Sequence, residues 1–216
     1  MKSYLVKTPN LIPKLFQNQI WSFSPNEKSI YLTFDDGPTP EITDWVLNTL
    51  KQYNAKATFF CIGKNIEQHP EIFQHIIEQG HAIGNHTYNH LNGWKTSVKA
   101  YLQSILKTEK IIHESNSDIS RQNTKLFRPP YGKIKPSQTK LLIEHKYKII
   151  MWSVLSGDFD TTITPKKCLN NVIETTEKGS VIVFHDSKKA FEKLQIVLPQ
   201  ILEHFSKKGY NFNTII

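Results

Sequence analysis

The chain has 216 residues, of which 38% are hydrophobic and 21% are charged, as in an ordinary globular protein. Its net charge of +8 comes from lysines spread along the whole chain, which is typical of a solvated surface and does not favour a nucleic-acid-binding stripe. No apolar run approaches the roughly 18 residues of a membrane span. Prolines interrupt the N-terminal apolar residues, so no signal peptide is visible. We therefore expect no nucleic-acid partner and no transmembrane segment, and a cytoplasmic location by default. The oligomeric state does not follow from the sequence, and a monomer is assumed.

Strand-like and helix-like segments alternate along the chain. Apolar, β-branched or aromatic runs predict strands near residues 29–34, 56–61, 81–85, 125–128, 147–154, 180–184 and 210–213. Apolar residues at helical spacing predict helices over residues 41–53, 70–79, 96–115, 136–146, 165–177 and 189–208. This alternation predicts βαβ units with a parallel sheet, and seven strands fit one barrel-like α/β domain.

We find no linker that divides the chain. Residues 1–28 are predicted to be an N-terminal extension, and residues 29–216 the main domain. The extension is expected to pack on the barrel through Leu11, Ile12, Leu15, Phe16, Ile20 and Trp21. The stretch 116–124, which is rich in Ser, Asn and Asp, is predicted to be the least ordered.

Polar residues stand at the ends of five predicted strands. They are Asp35 and Asp36, Asn85 and His86, Arg128, Asp158, and His185. The strands of an α/β barrel carry their catalytic groups at their carboxyl ends. A polar group at a core-facing strand end also needs a partner or a function. We therefore expect these side chains to form one site.

Asp35 and Asp36 are adjacent carboxylates that run directly into Gly37 and Pro38. Neighbours on a strand normally point to opposite faces, but a turn at the strand end can aim both at one cleft. Two such charges repel unless a cation lies beside them. The alternative for the pair alone is an ordinary turn in which an Asp side chain caps the backbone.

The segment from His86 to His90 places two histidines four residues apart. On one face of a helical turn, both imidazoles could reach a single ion. Thr87 stands where a zinc-protease helix carries its glutamate base, so a base must come from elsewhere. With Asp36, the pair would give three ligands and open positions, the pattern of a catalytic metal site. The alternative is two surface histidines beside a turn.

Three further stretches carry candidate site residues. In Arg128-Pro-Pro-Tyr131, consecutive prolines hold the chain extended. This fixes the direction of Arg128 and presents the backbone N–H of Tyr131. The alternative is a rigid loop with a surface arginine. An apolar strand turns polar before Asp158, and His185 ends another. A lone histidine in that place is more often structural than catalytic.

Together these stretches resemble the polysaccharide deacetylase family, the NodB-homology domains of carbohydrate esterase family 4. The segments Thr33 to Pro38, His86 to His90, Arg128 to Tyr131 and Val183 to His185 resemble the first, second, third and fifth family motifs. The resemblance covers roughly residues 28–214. It implies a distorted (β/α) barrel of about seven strands and metal-dependent hydrolysis of N-acetyl groups on a sugar polymer such as peptidoglycan or a chitin-like oligomer.

The fourth motif departs from the family pattern of two acids and a tryptophan. Leu155 occupies the place of the first acid, Asp158 matches the second, and Phe159 replaces the tryptophan. The family's acids help to orient the arginine and the catalytic histidine. Leu155 therefore leaves Arg128 to pair with Asp35 alone, whereas Asp158 can still act on His185.

The resemblance also implies roles for the site residues. Asp36, His86 and His90 would hold a divalent metal, and Zn²⁺ suits this ligand set, although Co²⁺ or Ni²⁺ would also bind. Asp35 would be the general base, and His185, with its pKa raised by Asp158, the general acid. The Tyr131 N–H would stabilise the oxyanion. Phe159 and Val183 would shape the acetyl pocket.

The same residues would also fit other functions. The same metal and base would serve an O-acetyl xylan esterase or a hydrolase of small amides. Loss of the acid at Leu155 would fit an inactive sugar-binding homologue. A two-carboxylate glycosidase is disfavoured, because its acids must lie roughly 5 Å or more apart across a glycosidic bond. A glycan substrate would also place the protein in the cell envelope.

Overall fold

A computed structural model describes residues 4–115 and 124–216. Its centre is a curled sheet in which seven parallel strands follow the order β5-β4-β3-β2-β1-β7-β6, while a short β8 pairs with β1. The strands are β1 (Ser29–Asp35), β2 (Ala57–Cys61), β3 (Ala82–Asn85), β4 (Lys125–Phe127), β5 (Tyr147–Ile149), β6 (Val154–Leu155), β7 (Val181–His185) and β8 (Asn211–Phe212). The predicted α/β class and parallel sheet are therefore confirmed.

Helices connect the strands and cover the sheet. Within the described ranges they are α1 (Leu11–Leu15), α2 (Ile42–Gln52), α3 (Gly63–Gln68), α4 (Pro70–Glu78), α5 (Val98–Ser115), α6 (Pro136–Glu144), α7 (Pro165–Ile173) and α8 (Lys188–Lys207). Six of them match the predicted helices, whereas α1 and α3 are too short to give a periodic signal. None of the helices in residues 4–115 and 124–216 has the length and apolarity needed to cross a membrane.

The strand β1 lies in the middle of the core. Phe34 stacks on Phe59 of β2 and Phe184 of β7, with ring centroids 5.1 and 5.8 Å apart. A parallel strand that is covered on both faces is apolar almost throughout, which explains why the residues of β1 do not alternate between apolar and polar. The register pairs Asp35 with His185 across β1 and β7. Packing of the sheet thus places two predicted site residues side by side.

The predicted strand 147–154 is two strands, β5 and β6, at opposite ends of the sheet path. The connection between them pairs with the N-terminal segment instead of continuing a strand. Ile20 bridges Ile150, and Lys7 forms an antiparallel bridge with Val154 of β6. The prediction of one strand was wrong because the apolar sequence does not indicate where the backbone stops pairing with β4 and begins to pair with β7.

The N-terminal segment packs on the main domain through its backbone and through Ile20 and Trp21, which join apolar clusters of the core. Leu11, Leu15 and Phe16 were expected to pack there too, but their side chains are exposed. The prediction was wrong for these three residues because the helix α1 is a single short turn that buries none of its residues. The predicted disorder of 116–124 falls, apart from Thr124, outside the described residues.

Candidate active site

A cleft of about 660 Å³ lies at the carboxyl ends of the strands. Eight of the ten predicted site residues line it: Asp35, Asp36, His86, His90, Tyr131, Phe159, Val183 and His185. The other two, Arg128 and Asp158, are fully buried and contact Asp35 and His185 from behind. The sequence-predicted residues therefore come together in one place.

Asp36, His86 and His90 form a candidate metal site, with one ligand atom from each lying within 4.8 Å of the others. The Nε2 atoms of His90 and His86 lie 3.2 and 3.7 Å from Oδ1 of Asp36. That oxygen is buried and has no hydrogen-bond partner among the described residues. Because an unpartnered buried carboxylate oxygen is costly, a cation between these atoms fits the site. One carboxylate and two imidazoles are a suitable donor set for Zn²⁺.

Both histidines are in the neutral form that a metal requires. Burial lowers the pKa of His86 to about 4, despite the nearby charge of Asp35. The Nδ1 of His86 lies 2.8 Å from the carbonyl oxygen of Arg128, and because a carbonyl only accepts, Nδ1 must donate. The lone pair of Nε2 is therefore free on the side of Asp36. Burial also lowers the pKa of His90.

The loop that carries the histidines is not the helical turn that the spacing predicted. Thr87 and His90 both have positive φ angles, of 63° and 54°. The side chain of Asn85 fixes this loop by donating to the carbonyl of Ile105 at 2.8 Å and accepting from the N–H of Thr87 at 2.9 Å. The two imidazoles meet through an irregular backbone that Asn85 holds, a role that the spacing alone did not reveal.

The carboxylate of Asp35 is paired with the buried guanidinium of Arg128. The Nη1 of Arg128 donates to Oδ1 of Asp35 at 2.8 Å and to the hydroxyl of Thr33 at 2.6 Å. The carbonyls of Ile150 and Met151 accept from Nε and Nη2 at 3.2 and 2.9 Å. Burial alone would raise the pKa of Asp35, but the charge and hydrogen bond of Arg128, together with the charges of His86 and His185, outweigh burial and lower that pKa below its usual value. Asp35 is therefore ionised.

Leu155 lines the cleft at the position where an acid was expected. Among the described residues, Asp35 is the one carboxylate that forms an ion pair with Arg128. Three further hydrogen bonds of the guanidinium go to neutral oxygens, and its Cζ lies 4.1 Å from the centroid of the Phe60 ring. Arg128 is thus held by five protein groups and does not need an acid at position 155.

His185 and Asp158 form a second buried pair. The Nδ1 of His185 lies 2.8 Å from Oδ1 of Asp158, whose Oδ2 accepts from the backbone N–H of His185 at 2.7 Å. The N–H of Phe159 also donates to Oδ1 at 2.9 Å, so the carboxylate is fixed. Burial alone would lower the pKa of His185, but the charge and hydrogen bond of Asp158 raise it to about 10. His185 is therefore an imidazolium at neutral pH.

We expect Asp158→Asn to lower the pKa of His185 in the metal-free protein from about 10, because the charge and hydrogen bond that oppose burial most strongly are lost, while the weaker effects of Asp36 and Asp35 remain. Titration of the His185 ring protons by NMR measures this change. A histidine with a raised pKa stabilises the fold fully below its unfolded value of about 6.5, and this stabilisation is lost as the pH rises through about 10.

The stability difference between the wild type and Asp158→Asn should accordingly be largest below pH 6.5 and narrow towards pH 10. Denaturant unfolding at several pH values measures it. A difference that stays constant over this range would show that Asp158 does not control the charge of His185.

Tyr131 contributes its backbone to the cleft. Its φ angle is 61°, in the left-handed region that costs a residue other than glycine roughly 1–3 kcal/mol. Among the hydrogen bonds of the described residues, none is donated by its N–H. The Tyr131 side chain is 60% exposed, and its hydroxyl lies 3.1 Å from Nδ1 of His90. Strained backbone at this position is consistent with a functional constraint on the amide.

Phe159 and Val183 form an apolar wall beside His185. The Phe159 ring stands edge-on to the His185 ring at a centroid distance of 5.2 Å, and it also contacts the ring of Tyr4 at 5.3 Å. Val183 is buried on β7, two residues before His185. Leu155 lies in register with Val183 and extends the same apolar surface.

Asp186 was missed by the sequence reasoning although it directly follows His185. Its buried carboxylate accepts hydrogen bonds from the N–H of Gly37 at 3.0 Å and from the hydroxyl of Thr43 at 2.5 Å. Burial raises its pKa to about 7. A Cβ on Gly37 would lie 1.9 Å from this carboxylate, which explains glycine after Asp36. Asp186 therefore holds the turn that presents Asp36.

Comparison with known proteins identifies the family of the chain. The model of the polysaccharide deacetylase family matches residues 23–150. Two peptidoglycan-N-acetylglucosamine deacetylases of Bacillus cereus are 38% and 34% identical to this chain; the alignments cover 88% and 90% of this chain and 68% and 90% of the relatives.

A solved structure of a peptidoglycan N-acetylglucosamine deacetylase superimposes with a TM-score of 0.87 at 35% identity, covering 96% of this chain and 95% of that one. Its similarity confirms the distorted (β/α) barrel that the motifs implied. The chain therefore belongs to the polysaccharide deacetylase family and is a hydrolase that removes acetyl groups from a polysaccharide.

Proposed function

We propose that this enzyme hydrolyses the acetamido group of N-acetylglucosamine residues in peptidoglycan and that Zn²⁺ is its native metal. The observation that carries the proposal is the meeting of three units in one cleft: a carboxylate and two neutral imidazoles, an ionised Asp35, and a protonated His185. The names of the relatives support peptidoglycan as the polymer.

Asp36, His86 and His90 would hold the divalent ion, and Co²⁺ or Ni²⁺ would also suit these ligands. When bound, such an ion polarises a carbonyl and lowers the pKa of water to about 7. Contacts within the protein orient the two imidazole rings without the ion. Arg128 fixes the ring of His86 through its carbonyl, and Tyr131 contacts the ring of His90.

Asp35 would accept the proton of the attacking water. Its free oxygen faces the cleft while Oδ1 stays bound to Arg128, and the lowered pKa keeps it ready as a base. A positioned base or acid contributes typically about 10²–10⁴ in rate. Because Asp35 and Asp36 are adjacent, one turn of backbone places the base next to the metal ligands.

His185 would donate a proton to the departing sugar amine. Asp158 binds Nδ1, so the other ring nitrogen serves the substrate. The N–H of Tyr131 would donate to the developing oxyanion, and losing such a donor typically costs about 10²–10³ in rate. Phe159 and Val183 would enclose the acetyl methyl group, with Leu155 beside them.

Removal of the metal should abolish activity, and Zn²⁺ should restore it. We expect chelator-treated protein to release no acetate from N-acetylated peptidoglycan until Zn²⁺ is added back. Acetate release measured side by side from peptidoglycan, chitooligomers and acetylated xylan, with and without Zn²⁺, would also separate N-deacetylation from O-deacetylation. Equal release with and without metal would overturn the assignment.

Zn²⁺ binding itself can be tested without turnover. We expect His90→Gln to weaken Zn²⁺ binding by more than the roughly 10–100-fold that loss of a ligand-orienting residue costs. Isothermal calorimetry on metal-free protein measures this affinity. His145→Gln, at the end of α6 and outside the cleft, is the matched control and should bind as the wild type does. Unchanged affinity in His90→Gln would place the ion elsewhere.

A further inference from the structure

Three lysines line the active-site cleft and take no part in the chemistry above: Lys133, Lys188 and Lys189. Lys188 and Lys189 are exposed at the start of α8, and Lys133 is half-buried. Among the residues that the structure describes, none of the three forms an ion pair with a carboxylate, although other surface lysines such as Lys7 and Lys207 do. Their charges are therefore available to a ligand.

The lysines lie on two sides of the reacting groups. Lys133 follows Tyr131 by two residues, and its Nζ lies 5.3 Å from the centroid of the Trp94 ring. The side chains of Trp94 and Tyr131 are both 60% exposed. Aromatic rings that combine an apolar face with an exposed position are suited to contact with a sugar ring. This side of the cleft thus offers a cation beside two aromatic surfaces.

On the other side, the Nζ of Lys189 lies 6.0 Å from the centroid of the Phe159 ring, which contacts His185. Lys188 precedes it at the same helix start. A carboxylate approaching His185 from this side would meet two ammonium groups.

The acids of the cleft do not cancel these charges. Asp35 is paired with Arg128, and Asp158 with His185. Asp36 would hold the divalent ion together with two neutral imidazoles, and that ion would balance its charge. The free charges that an incoming ligand meets are therefore positive, and a positive cleft attracts anions over a distance of about 10 Å at 0.1 M salt.

We propose that Lys133, Lys188 and Lys189 form a subsite for the carboxylates of an acidic glycan. The enzyme then prefers peptidoglycan strands, whose peptide substituents carry carboxylates, over neutral oligomers of N-acetylglucosamine. The inference rests on the proposed function, and it adds the property by which the cleft selects among N-acetylated glycans. Exposed ion pairs are individually weak, so the three together give a preference of about tenfold.

The test compares three proteins in their Zn²⁺-loaded form. The rim variant is Lys133→Gln/Lys188→Gln/Lys189→Gln. The control variant is Lys51→Gln/Lys140→Gln/Lys208→Gln, which removes the same charge from exposed positions outside the cleft. The probes are a soluble peptidoglycan fragment that keeps its peptides and a neutral N-acetylated chitopentaose. Calorimetry gives each dissociation constant, acetate release gives kcat and KM, and thermal unfolding confirms that the variants are folded.

We expect the rim variant to lose about tenfold in affinity for the peptidoglycan fragment relative to chitopentaose, mainly through KM, and the control variant to keep the wild-type ratio. The wild-type ratio should also fall when salt is raised from about 0.1 to 1 M. A ratio that is unchanged in the rim variant overturns the subsite. Absence of acetate release from both probes overturns the proposed function instead, and the binding ratios still decide the subsite.

Discussion

Asp35→Asn is expected to lower kcat for acetate release by about 10²–10⁴-fold, the usual contribution of a positioned base. Asparagine has the same size and its carbonyl can accept the hydrogen bond of Arg128, so the cleft keeps its shape. It cannot accept a proton from water at neutral pH. Steady-state acetate release from N-acetylated peptidoglycan, with Zn²⁺ present, measures the loss.

The controls for Asp35→Asn separate chemistry from folding and metal binding. Asp36, His86 and His90 are unaltered, so calorimetry should show Zn²⁺ binding by this variant. Assays are run well below its unfolding temperature, because the charge of Arg128 is no longer balanced. Asp44→Asn, an exposed change outside the cleft, should remain active. Full activity of Asp35→Asn would mean that another group takes the proton.

Arg128→Met should lower the free energy of unfolding by about 3–5 kcal/mol, the usual cost of breaking a buried ion pair. Arg128 is 0% exposed, and its removal leaves the carboxylate of Asp35 buried without its counter-charge. The hydroxyl of Thr33 and the carbonyls of Ile150 and Met151 also lose their donor. Denaturant unfolding of metal-free protein measures the change.

The double variant Asp35→Asn/Arg128→Met tests whether the loss comes from the unpaired charge. It should be more stable than the sum of the two single changes predicts, because neither charge is then left alone. Additivity within about 0.5 kcal/mol would show that the pair is not coupled. In Arg128→Met alone, burial should raise the pKa of Asp35, so the acid limb of the pH–rate profile should move to higher pH.

Much of the site could be predicted because its residues stand where apolar strands end. The register of β1 with β7 then brings Asp35 and His185 together without any further information. The surroundings of Arg128 could not be predicted in the same way. Two of its partners are backbone carbonyls, of Ile150 and Met151, and any residue type supplies a carbonyl.

Backbone conformation was the second feature that could not be predicted from the sequence. The spacing of His86 and His90 indicated a shared ligand role but suggested a helical turn, and left-handed angles at Thr87 and His90 replace it. Such angles are uncommon in residues other than glycine, so neither Thr87 nor His90 indicated them in the sequence. The position of Lys133, Lys188 and Lys189 in the cleft could not be predicted either. In a chain with 27 Lys and Arg residues, the sequence does not indicate which of them line a site.

The N-terminal segment has a consequence for the solution behaviour of the protein. An open sheet exposes unpaired N–H and C=O groups at both ends, and such edges promote association with other chains. Here Val6 and Thr8 bond to the backbone of Leu155 and Ser153 at one end, and Ile20 bonds to the end of β5 at the other. The N-terminal segment therefore covers an edge strand at each end of the sheet and protects both edges against association with other chains.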